Sequence, residues 1–192
     1  MVRTLLVPGL DGSPAPHWQD WWAATDSSAL MVELTDPQNP NPQRWESELA
    51  GAILRHPDAV LVGHSLGAVL ISRVLTAWPQ LQVCGALLVA PAEPEGCDRI
   101  HRFAPLHEAA LHVPATVVAS RNDPWMSFNR ARQLAKSWRA DLIDLGFAGH
   151  INVASGFGPW PAGKLLRTDL LAQIQVQHPV SRHAFQPLSK RQ

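Results

Sequence analysis

The sequence predicts an open three-layer α/β fold, a six-stranded parallel sheet with helices on both faces. Two observations carry this prediction. Short apolar runs alternate with longer helical patterns from one end to the other, and several runs (AVLVG, GALLVA) are almost continuously apolar. Strands buried on both faces of a parallel sheet read this way. The length of 192 residues suits one domain with one sizeable core.

The predicted strands are Val2–Val7, Leu30–Leu34, Ala59–Gly63, Gly85–Ala90, Thr116–Ser120 and Leu142–Leu145. Between and after them the patterns predict helices over Gln43–Arg55, Leu66–Trp78, Phe128–Arg139 and Lys164–Gln175. The Pro/Asn-rich stretch DPQNPNP, residues 36–42, is a loop. From His178 the chain loses periodicity and ends polar and basic. Residues 1–177 are therefore expected to form the domain and 178–192 a partly ordered tail.

Lys+Arg and Asp+Glu both number 16, so the formal net charge is zero. That balance offers no field for nucleic acid or an anionic membrane surface. No stretch approaches the ~20 apolar residues that span a bilayer. The two cysteines, Cys84 and Cys97, have no CxxC or metal-ligand spacing, and a cytoplasmic location is expected. Neither metal nor cofactor is expected, since the histidines form no H-x-x-x-H pair and no phosphate-binding glycine loop is present. A small ester or amide is the expected partner.

The most informative stretch is AVLVGHSLGAVL, residues 59–70, a G-x-S-x-G between a buried strand and an apolar helix. Such a context makes Ser65 a candidate nucleophile on a tight strand-to-helix turn. Gly63 and Gly67 remove Cβ atoms that would collide with the neighbouring strand and helix. The helix N-terminus behind the serine favours developing negative charge, and the Leu66 N–H is positioned to donate to an oxyanion. A second donor is expected from the turn PGLDG after the first strand, the Leu10 N–H first and Asp11 second.

The acid and the base of such a site follow later in the chain, each in a loop leaving a strand. Asp123, in RNDPW after the fifth run, is the candidate acid; Asp98 is its rival, and Asp141 and Asp144 flank or occupy a strand. His150, in the glycine-bracketed GFAGHIN, is the candidate base among nine histidines. Imidazoles titrate near ~6.5 and so serve as bases around neutrality. His64 adjoins the serine but is expected to point elsewhere, and His17 is a candidate pocket residue.

With VGHSLG, SRNDPW and GHINVASGFGPWPAG in place, the chain resembles the small α/β-hydrolase family typified by retinoblastoma-binding protein nine and its bacterial relatives. The resemblance runs from the first strand to the helix after Trp160. It implies catalytic roles for Ser65, Asp123 and His150, a single six-stranded domain without a large lid, and a nucleophile after the third strand.

Eight tryptophans in a chain with no tyrosine raise the question of a pocket. Trp18, Trp125 and Trp160 are candidates for an apolar rim; Trp45, Trp78 and Trp138 sit at helical positions and are expected to pack the core. The only stretch able to cover the site, residues 93–110, is too short for a lipase lid. Two functions remain open. One is a serine hydrolase cleaving small carboxylic esters or amides through an acyl-enzyme; the other is a catalytically weak hydrolase fold that binds a protein partner.

Overall fold

The computed structural model describes residues 2–177. The expected tail, 178–192, lies outside the described residues. The strands are β1 (Thr4–Val7), β2 (Ala29–Met31), β3 (Ala59–His64), β4 (Val83–Val89), β5 (Ala115–Ala119) and β6 (Asp141–Asp144). All pair in parallel, in the order β2-β1-β3-β4-β5-β6. The helices are α1 (Trp18–Thr25), α2 (Pro42–Arg55), α3 (Leu66–Ala77), α4 (Phe128–Trp138) and α5 (Pro161–Gln177).

Period-2 alternation along the strands sorts their side chains into two cores. Leu5, Val7, Leu61, Leu88 and Val117 pack with α2, α3 and α4. Leu6, Val60, Val62, Leu87, Val89 and Val118 pack with Trp18 and Trp22 of α1 and Leu170 of α5. The helices therefore cover both faces, which is the predicted three-layer arrangement.

Most element ends shift by one to three residues from expectation, as those of β2 and β6 do, and one helix is new. Strand β2 is three residues long because its partner β1 ends at Val7, where Pro8 has no N–H to continue the ladder. Strand β6 begins and ends one residue earlier, on Asp141 and Asp144. Helix α1 has no counterpart among the predicted helices. It starts on an unusual cap, the His17 ring accepting from the Gln19 N–H at 3.1 Å. The caps of α2 and α4 are of the common kind: Asn41 accepts from the Arg44 N–H and Ser127 from the Arg130 N–H.

Residues 93–110 form two short 3-10 turns, Pro94–Gly96 and His101–Phe103, and no large lid. Ile100, Phe103 and Leu106 anchor the segment in the core. Arg130 of α4 ties both its ends, pairing with Glu93 at 2.8 Å and Glu108 at 2.6 Å.

The tightest approach in the sheet lies where β1 and β3 meet α3. A Cβ on Gly67 would overlap the Val7 carbonyl oxygen and come within 2.6 Å of that of Pro8. A Cβ on Gly63 would lie 2.7 Å from the Ala68 amide nitrogen. Gly51, in α2, meets only the far end of Arg55. Gly67→Ala is thus expected to cost about 3 kcal/mol or more by strain against fixed backbone, whereas Gly51→Ala is expected to stabilise by about 0.5–1 kcal/mol. Urea unfolding of the two variants checks this; a Gly67→Ala midpoint equal to the parent's would contradict it.

Candidate active site

The loops leaving β1, β3, β5 and β6 meet at the C-terminal edge of the sheet. Ser65, between β3 and α3, has φ 55 and ψ −121, a backbone conformation that strains any residue with a Cβ. It is held there by its N–H donating to the Val89 carbonyl at 3.0 Å and by the Ala68 N–H donating to its own carbonyl at 3.0 Å. Gly9 closes the other side: a Cβ there would lie 3.0 Å from both the Ser65 Cβ and the His64 carbonyl oxygen.

His150 Nε2 lies 2.8 Å from Ser65 Oγ, and both Asp123 carboxylate oxygens lie 2.9 Å from His150 Nδ1. With a carboxylate at Nδ1, that nitrogen carries the proton and Nε2 offers its lone pair to the serine hydroxyl. The Asp123 and His150 side chains are both almost wholly buried, and Asp123 also accepts from the Trp125 N–H at 2.9 Å. The rival Asp98 is exposed. Asp144 is engaged by Arg121 and the Gly146 N–H.

Of the two turn amides considered as second oxyanion donors, that of Asp11 donates to the Pro37 carbonyl at 2.8 Å. The Leu10 N–H has no backbone acceptor among the described residues. Leu66, first residue of α3, has no partner for its amide within the helix. Both leucines line a cleft of about 230 Å³ together with Ser65, His150, His17 and Trp125.

Two expectations about the tryptophans are corrected. Trp18 is 0% exposed and Trp160 6% exposed; they pack edge to face at 5.2 Å in the core and do not line the cleft. Trp18 instead donates its ring N–H to the Ile151 carbonyl at 2.9 Å. Trp125, 44% exposed, does line the cleft. Trp45 and Trp138 are core residues, as expected, and Trp78 packs partly buried against that core.

His64 also departs from expectation. It does not point away: it lines the cleft, lies 5.0 Å ring to ring from His150 and bonds the His150 carbonyl through Nε2 at 2.9 Å. Successive carbonyls of the base loop, at 150 and 151, are therefore each held by a ring N–H from a different element. Strand alternation carries the signal for His64, because Val60, Val62 and residue 64 share one face.

Further polar ties join the acid and base loops. Asn122 Oδ1 accepts from the Gly149 N–H and the Ser120 hydroxyl, both at 2.8 Å. Ser120 Oγ accepts from the Ala148 N–H, and Ser155 Oγ from the His150 N–H, both at 3.0 Å. Local hydrogen bonds of this kind leave no sequence signature beyond polar residues in a loop.

Burial, and secondarily the nearness of His150, pushes the His17 ring down to about 4 and His64 well below the ordinary 6.5. In the unfolded chain both imidazoles take up a proton near 6.5, whereas the folded protein resists it. Their stabilisation is present in full above that value and is lost as pH falls from about 6.5 toward 4. The thermal midpoint is expected to drop between about pH 7 and pH 4.5, and to drop less in His17→Asn. Calorimetry across that range checks it, and an identical slope for the two proteins would count against the assignment to His17.

Residues 4–168 match the model of a family described as serine hydrolase. The Bacillus subtilis protein YdeN, which bears the name of a hydrolase, is 22% identical over 174 residues, spanning 83% of this chain and 90% of YdeN. Its crystal structure superposes with a TM-score of 0.76, covering 90% of this chain and 100% of that one. A structure from Pectobacterium atrosepticum, named as a YdeN-like hydrolase, is 33% identical with a TM-score of 0.82, covering 91% and 92% of the two chains. Esterase RhEst1 from a Rhodococcus species, 15% identical with a TM-score of 0.68 over 89% of this chain and 90% of its own, shares the fold. The chain has the α/β-hydrolase fold and belongs to the serine hydrolase family.

Proposed function

We propose that this protein hydrolyses small carboxylic esters, or amides, by acyl transfer through Ser65, His150 and Asp123. The observation that carries the reading is the unbroken chain of contacts from Asp123 through His150 Nδ1 and Nε2 to Ser65 Oγ, at 2.9 and 2.8 Å. His150 takes the hydroxyl proton as Ser65 Oγ attacks the substrate carbonyl. The Leu66 and Leu10 amides donate to the resulting oxyanion. His150 then returns the proton to the departing alkoxide or amine, and a water, deprotonated by the same ring, cleaves the acyl-enzyme and regenerates Ser65. Throughout, Asp123 holds the tautomer and faces the imidazolium as it forms.

Substrate size follows from the cleft. A volume of about 230 Å³, covered by a short segment rather than a large lid, suits small acyl groups better than long chains. Apart from the paired Asp11 and Arg99, no carboxylate, lysine or arginine among the described residues lines it, which favours uncharged substrates. Two free cysteines fit a reducing compartment such as the cytoplasm.

A fluorophosphonate probe is expected to label the folded protein and to leave Ser65→Ala unlabelled. Esterase kcat/KM is expected to fall about 10⁴-fold in Asp123→Asn, as in other enzymes of this chemistry. Folded parent protein that resists the probe would overturn the reading and leave the protein-binding alternative. Trp125→Ala is expected to raise KM for an aromatic ester far more than for an acetate; equal effects would remove Trp125 from the pocket.

A further inference from the structure

Three buried imidazoles adjoin at the floor of the cleft, and one of their N–H groups lacks an acceptor among the described residues. His150 commits Nδ1 to Asp123, and His64 commits Nε2 to the His150 carbonyl. His17, 4.9 Å ring to ring from His64, accepts the Gln19 N–H at Nδ1. A neutral imidazole that accepts at one nitrogen carries its proton on the other, so the His17 proton sits on Nε2. Its burial keeps the ring neutral far below the ordinary range.

Nε2 of His17 has no hydrogen-bond partner among the described residues, yet the ring is only 6% exposed and borders the cleft beside Ser65. The nitrogen is not sealed: among the described residues the enclosed side-chain N and O atoms without a partner are Thr4 Oγ1 and Arg167 Nε, so the ring N–H meets solvent and can donate to water or to a substrate oxygen in the cleft that His17 lines. The charge around it also narrows the choice. Arg99, the cation at the rim, is engaged by both Asp11 oxygens at 2.9 and 2.6 Å and by the Gln38 carbonyl. An anionic substrate group would have to displace that pair.

We propose that His17 Nε2–H donates to an uncharged oxygen of the substrate outside the scissile carboxyl group, a hydroxyl, ether or carbonyl oxygen, so that the enzyme prefers oxygen-bearing small esters to their hydrocarbon isosteres. The proposal rests on the serine hydrolase reading above and specifies the substrate class of that same site. It also gives one ring two separable duties, capping α1 through Nδ1 and binding substrate through Nε2.

Two isosteric pairs test it. In p-nitrophenyl methoxyacetate and p-nitrophenyl butyrate an ether oxygen replaces a methylene on the acyl side. In 2-methoxyethyl butyrate and butyl butyrate the same exchange is made on the alcohol side. His17→Asn keeps a good helix cap but shortens the side chain out of the cleft; His17→Ser does the same and serves if the first variant fails to fold. In the member of one pair that bears oxygen, kcat/KM is expected to fall about three- to tenfold further than in its hydrocarbon isostere, the usual worth of one hydrogen bond. Which pair responds tells whether the acyl or the alcohol part reaches the ring.

Equal losses within both pairs, with thermal midpoint retained, would overturn the proposal and leave His17 as a cap alone. Fluorophosphonate labelling of the same variants separates the two levels. Labelled variants that show no discrimination refute only the role of His17, whereas unlabelled parent protein refutes the serine hydrolase reading beneath it.

Discussion

The loops that meet at the C-terminal edge of the sheet are arranged around one backbone conformation, that of Ser65. Its φ of 55 and ψ of −121 are unfavourable in isolation and persist because neighbouring backbone leaves no alternative. Gly63, Gly67 and Gly9 let three segments press on the turn where any Cβ would meet fixed atoms. The exit loop of β1, the end of β3 and the start of α3 consequently form one unit. The Leu10 and Leu66 amides are placed by the same contacts that place the serine. Strain at one residue and the location of two donors have a single origin.

The imidazole arrives from 85 residues further along the chain, and a different kind of interaction brings it. Its loop contains four glycines, three of which, Gly146, Gly149 and Gly156, are at positive φ, and few buried side chains of its own. Order is supplied from outside, through the ring N–H groups of His64 and Trp18 and the hydroxyl and amide groups of Ser120, Asn122 and Ser155. The two ring N–H bonds are buried and most of the others partly so, and a satisfied polar network of this kind also specifies geometry. The ion pairs of Arg130, partly exposed, contribute only up to about 1 kcal/mol each. Their effect on the short cover is one of placement.

How much of this was legible in the sequence depended on the range of the interaction. The buried strands announced themselves through continuous apolar runs, and the serine turn through glycines with strand before and helix after. Asp123 and His150 were found by chain order and by their place after strands, and the structure brings both to Ser65. Helix α1 escaped because WQDWWAAT is short and follows two prolines, and because its cap is a histidine rather than Ser, Thr, Asp or Asn. Strand β2 is shorter than its apolar run because its length is set by β1. Trp18 and Trp160 show no local sign of their burial for a related reason: the acceptor of one and the packing partner of the other lie more than a hundred residues away. The direction of His64 is set by the strand before it, whose alternation turns it to the cleft, and not by the tight turn after it.

The double use of His17 bears on how such an enzyme can change over generations. A substitution there alters the start of α1 as well as the cleft, so selection on specificity is coupled at that codon to selection on folding. The cover segment carries no such coupling, since Ile100, Phe103 and Leu106 anchor it while Cys97 and Arg99 face the cleft. Divergence in substrate range should therefore accumulate in the cover, with the residue that begins α1 among the slowest to drift.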